Sequence, residues 1–98
     1  MSIEAAILRM RLPGIDTELS LQIARMVGLV RKEDLRKLPG IAESLDWAAT
    51  LMGLDINDLR DQPEVVHETL MALLKTREDR ARITPEVTQR LAGKVASR

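Results

Sequence analysis

The chain contains no cysteine, no phenylalanine and no tyrosine, and its single aromatic residue is Trp47. Without cysteine there are no disulfides and no thiolate chemistry. Without Phe and Tyr, the core has to be assembled from Leu, Ile, Val, Met and Ala around one indole. Net charge is missing too, because fifteen basic and fifteen acidic residues cancel. A neutral chain exerts no long-range pull on phosphate backbones or anionic lipid, which argues against nucleic acid and membrane surfaces as partners. No apolar run approaches the ~20 residues of a membrane-spanning helix. The opening MSIEAAILRMR has charge inside its apolar part and no small-residue cleavage site, unlike a secretory signal. These absences point to a soluble, cytoplasmic protein.

What is present favours helix. An apolar share of 45% over 98 residues suits one folded domain, residues 1–98, with a modest core. The β-branched residues are scattered singly among Leu and Ala, so the expected fold is all-α, a bundle of about five helices. The first helix covers residues 2–11, with Ser2 as N-cap and Arg9 and Arg11 in its last turn. Pro13-Gly14 ends it. Asp16 or Thr17 caps a second helix whose Leu19, Ile23, Met26, Val27 and Val30 form one stripe. Leu35 anchors the linker that follows.

A third helix starts after Pro39-Gly40 and stops near Gly53, placed to form a left-handed C-cap. Its apolar stripe reads Ile41, Leu45, Ala48, Met52, with Trp47 at the edge and Glu43, Asp46 and Thr50 on a narrow polar face. So wide an apolar arc predicts a central helix. Pro63 sits at the first position of a fourth helix, with Val66, Leu70, Leu73 and Leu74 inward. The run KTREDRAR continues or frays that helix. Thr84-Pro85-Glu86 opens the last one, residues 84–98, with Val87, Leu91 and Val95 as its core face. The tetrapeptide LPGI occurs twice, at residues 12–15 and 38–41. Pro-Gly is a common interhelical turn, and four residues do not establish a duplicated unit.

Few residues suggest chemistry. His67 is the only histidine and lacks a second ligand at helical spacing, so it reads as a boundary residue. Ser20 and Ser44 have no supporting base motif. Gly40 serves either a positive φ or a close approach of backbone. The N–H groups of Ile41, Ala42 and Glu43 point outward as in anion sites, but the Glu43 carboxylate already occupies that positive end. Trp47 reads as core filler or as a contact surface. Arg77, Arg80 and Arg82 belong to a solvated face with internal ion pairs, or meet a partner's acids.

The segments DLRKLPGIAESLDW, PEVV and LLKTRED, in that order and preceded by RLPGID and LVR, resemble the C-terminal helical lid of MoxR-type AAA+ ATPases. The likeness is densest over residues 34–47, returns at 63–66 and 73–79, and covers about residues 3–82; residues 84–98 run past it. A start at Met-Ser directly before the matched region fits excision from a longer polypeptide. The resemblance implies a lid that covers ATP and Mg held by a nucleotide-binding domain of the same polypeptide. It also implies contact with neighbouring subunits of a ring, and chaperone-like remodelling alongside von Willebrand A-type proteins. The chain has no G-x-x-x-x-G-K-[ST] loop, Walker B acids or ring arginines, so no catalysis and no cofactor are expected of it alone. The sensor arginine of many such lids has no counterpart in GIAES, residues 40–44; Arg36 and Lys37 lie upstream on the linker. What remains is packing near adenine or ribose through Pro39, Gly40, Ile41 and Ala42, with Trp47, Arg77 and Arg80 as interaction residues. The alternatives are a stand-alone helical adaptor that binds a protein through Trp47 or the last helix and, more distantly, a helix-turn-helix DNA binder. The DNA reading lacks a basic recognition helix.

Overall fold

The structure, a computed structural model, describes residues 3–97. Among these there are six helices and no strand: α1 (Ile3–Arg11), α2 (Thr17–Arg31), α3 (Ile41–Gly53), α4 (Pro63–Met71), α5 (Arg77–Arg82) and α6 (Pro85–Ser97). The all-α expectation holds. The Ser2 cap lies outside the described residues.

Asp16 is the N-cap of α2, its carboxylate accepting the Leu19 N–H at 3.0 Å. The α2 stripe is buried as its spacing predicts, from Leu19 through Ile23, Met26 and Val27 to Val30. Eight of its fifteen residues are buried, against four of thirteen in α3. It packs on α1, α3 and α6, while α4 packs on α3 and α6. The helices α2, α3, α4 and α6 therefore form a four-cornered bundle with α1 laid across α2 and α3, and α2 has the larger share of the core.

α3 is turned relative to expectation. Its buried residues are Ser44, Trp47, Ala48 and Leu51, while Ile41 is 42% exposed and Leu45 and Met52 are half-buried. At 100° per residue this is a rotation of roughly 80°, which brings Trp47 into the buried arc. A polar residue causes the shift: Ser44 is fully buried because its hydroxyl bonds to Glu4 of α1.

The end of α3 differs as well. Gly53 is still helical, and the left-handed residue is Asp55, with φ of 60°. The Ile56 N–H reaches Leu51 C=O at 3.0 Å and the Asp55 N–H reaches Met52 C=O at 3.0 Å, a Schellman closure with Ile56 and Leu51 both in the core. Buried Gln22 of α2 holds the connector that follows. Its amide oxygen accepts the Leu59 N–H at 2.8 Å and its nitrogen donates to Asp58 at 3.3 Å.

Pro63 opens α4 as expected. The run KTREDRAR neither continues nor frays that helix, which stops at Met71. Thr76 starts a separate α5 by accepting the Asp79 N–H at 3.1 Å. Thr84 starts α6 in the same way, accepting the Val87 N–H at 3.2 Å.

Candidate functional site

The linker from α2 to α3 is fixed from behind at closely spaced points. Asp79, 1% exposed, accepts the N–H of Arg36 at 2.7 Å and of Lys37 at 3.0 Å. Burial pushes its carboxyl up, but these two N–H groups, the Thr76 hydroxyl and the Arg36 charge outweigh that and hold it below the usual aspartate range. The next anchor is Arg31, whose Nε donates to Pro39 C=O at 2.7 Å. The rest of its guanidinium forms a two-pronged pair with Glu4, at 2.8 and 3.0 Å. Glu4 also accepts the Ser44 hydroxyl at 2.5 Å, so one carboxylate ties α1 to α2 and α3. Burial raises the Glu4 pKa, and the bonds from Arg31 and Ser44 bring it below its ordinary value.

The start of α3 completes the frame. Gly40 is extended, with φ of −100°, so a positive φ is not its purpose. Having no side chain, it supplies no cap; instead its N–H donates to Glu43 Oε1 at 2.8 Å. A Cβ at Gly40 would stand 3.2 Å from that oxygen. The N–H groups of Gly40 and of Glu43 itself hold the Glu43 carboxyl below its usual range, with Lys75 Nζ 3.9 Å away. The positive end of α3 is thus neutralised from within, and a phosphate does not fit there.

Past the exposed cations Arg36 and Lys37, what this frame presents outward is apolar. Leu38 is 54% and Ile41 42% exposed, Ala42 is exposed, and Pro39 between them is buried. Such a surface fits the face of a purine or the apolar skin of another domain; the cations beside it, Arg36 and Lys37, lie on the linker. Of the four residues expected near nucleotide, Ile41 and Ala42 face solvent, Gly40 is half-buried, and Pro39 is an internal strut.

The other candidates are placed elsewhere. Trp47 is 1% exposed and its indole N–H donates to Thr69 Oγ1 at 2.8 Å, so the ring is core and gives a partner no surface. Arg77 is exposed, and Arg80 reaches Met71 C=O at 3.4 Å, closing the end of α4. His67 Nδ1 lies 2.7 Å from the Thr88 hydroxyl and joins α4 to α6. Ser20 donates to Thr17 C=O at 2.7 Å. Among the described residues no three His, Cys, Asp or Glu are grouped to hold a metal.

Sequence reasoning missed Asp79 as the clamp on the linker and Glu4–Arg31 as the brace behind it. One signal was available for Asp79: T-x-x-D at residues 76–79 is a helix-start signature. Compared with family models, curated proteins and solved structures, the chain matches none.

Proposed function

We propose that the chain is the helical lid of a MoxR-type AAA+ ATPase. In its parent it packs over the nucleotide site and against the neighbouring subunit, and so couples ATP state to chaperone-like remodelling. The observation that carries this reading is the second LPGI segment, where Leu38 and Ile41 are 54% and 42% exposed although the backbone from Arg36 to Gly40 is tied down on both sides of Pro39. A rigid backbone that offers two apolar side chains to solvent suits a surface that seats on another domain. The all-helical fold agrees with a lid. The internal neutralisation of the α3 start favours contact with base, ribose or protein over contact with phosphate.

The test begins with the DNA upstream of the first codon, where an in-frame Walker A motif is expected. In the assembled parent, Leu38→Ser with Ile41→Ser should lower ATP turnover about tenfold. The same pair in the isolated chain should leave its melting temperature within about 2 °C. A stop codon and ribosome-binding site directly upstream would overturn the lid reading. It would leave the stand-alone adaptor, with Leu38 and Ile41 as its contact residues.

A further inference from the structure

A groove of about 320 Å³ runs between α2 and α6, lined by Arg25, Gly28, Leu29, Lys32, Lys94 and Val95. Its floor is apolar, from Leu29 and buried Val95, and its rim is cationic; among the described residues no acid lines it. This segregation stands out in a chain whose charges cancel. The acid next to Lys32, Glu33, pairs at 3.8 Å with Arg90.

Gly28 gives the groove its depth. It lies inside α2, its φ is not positive, and a Cβ built on it would meet nothing within 4 Å. Neither backbone geometry nor internal packing requires glycine, although glycine inside a helix is destabilising relative to alanine. What its missing side chain permits is the close approach of something from outside. Arg25 and Lys32 stand on either side of it along one face, seven residues apart, or roughly 10.5 Å at the helical rise. Arg25 is positioned by donating to Val95 C=O at 3.3 Å, which ties the rim of the groove to α6.

We infer that this groove docks an acidic amphipathic helix of a partner protein, which crosses close to Gly28 and aligns acids seven residues apart with Arg25 and Lys32. Nucleic acid suits it less, because a short cationic rim on a neutral chain with an apolar floor offers little to a continuous phosphate backbone. The groove shares no residue with the 36–43 segment, and the inference does not depend on the lid reading.

The probe is a synthetic Ala/Leu helical peptide with Glu at positions seven apart, titrated into the ¹⁵N-labelled chain by amide NMR. The same peptide with Lys in place of Glu and a short DNA duplex are run in parallel. The acidic peptide should shift the amides of Gly28, Leu29 and Val95, and the Lys peptide should not. Gly28→Leu and Lys32→Glu should each weaken binding at least tenfold, with Gly28→Leu melting no lower than the wild type. Silence at those amides, an equal response to the Lys peptide, a stronger response to the duplex, or unchanged binding by Gly28→Leu would each overturn the proposal.

Discussion

The two LPGI segments have the same four residues and opposite orientations. In the first, Ile15 is buried, Leu12 packs against the core, and Pro13 and Gly14 are exposed. In the second, Pro39 is buried while Leu38 and Ile41 stand in solvent. The first segment is a turn made by its own backbone. Leu12 N–H bonds to Leu8 C=O at 2.9 Å, Ile15 N–H to Leu12 C=O at 3.1 Å, and Gly14 takes a φ of 96°. The second is a strap held by side chains: Asp79, 43 and 42 positions from the N–H groups it accepts, with Arg31 eight positions before Pro39 and Glu43 three after Gly40. Local sequence suffices where the backbone closes on itself. Where distant polar groups grip the chain, they decide which side chains face in.

The largest expected effect separates the two isoleucines. Ile15→Ala should cost about 2–4 kcal/mol, the usual loss for a buried Ile, while Ile41→Ala should stay within about 0.5 kcal/mol. Urea unfolding of the two variants checks this, and equal losses would contradict the inversion. Next comes Asp79→Ala, which removes the shared acceptor of two linker N–H groups. A fall in melting temperature of roughly 5–10 °C is expected, with amide shift changes at Arg36 and Lys37 and little change at residues 12–15. If both segments respond alike, Asp79 is a general core element and not a clamp on the second.

The same contrast explains what could be read in advance. The α2 stripe, the Asp16 cap, Pro63 at the start of α4 and Thr84 before α6 all follow from spacing within one or two turns, and they stand where expected. The facing of α3 does not follow from its own residues. Ser44 counts as polar in any periodic pattern, yet it is buried by an acceptor forty positions earlier, Glu4. Asp79 sits in a run that looks solvated, yet its partners are 43 and 42 positions away. Single long-range polar contacts leave no period in the sequence. The sequence pointed to the stretch 39–42, but neither the exposure of Leu38 nor the burial of Pro39 could be read from it.

The two glycines give a finer version of the comparison. Gly14 has a φ of 96°, where an L side chain is strained, so Gly14→Ala should cost about 1–2 kcal/mol. Gly40 lies in ordinary extended space, and among the described residues the one close neighbour of an added Cβ, at 3.2 Å, is the far end of the flexible Glu43 side chain. Gly40→Ala should cost no more than about 0.5 kcal/mol, since Glu43 can move a few tenths of an ångström. Thermal melts of both variants decide it. A larger loss at Gly40 would mean that the Gly40–Glu43 bond is stronger than a single exposed contact.

Acid offers the smallest and most selective test. The carboxyls that brace the second segment, Asp79, Glu4 and Glu43, all have folded pKa values below their ordinary ones. A lowered folded value means that the unfolded chain binds protons first as pH drops. The stabilisation is therefore complete above about pH 5 and is lost as pH falls below about 4, through the folded values. The backbone turn of the first segment uses no carboxylate between Leu8 and Ile15. Amide NMR from pH 6 to 3 should show Arg36, Lys37 and Gly40 losing their native shifts while Leu12 and Ile15 keep theirs. Simultaneous loss at both segments would mean that acid unfolds the bundle as a unit, with the strap no weaker than the core behind it.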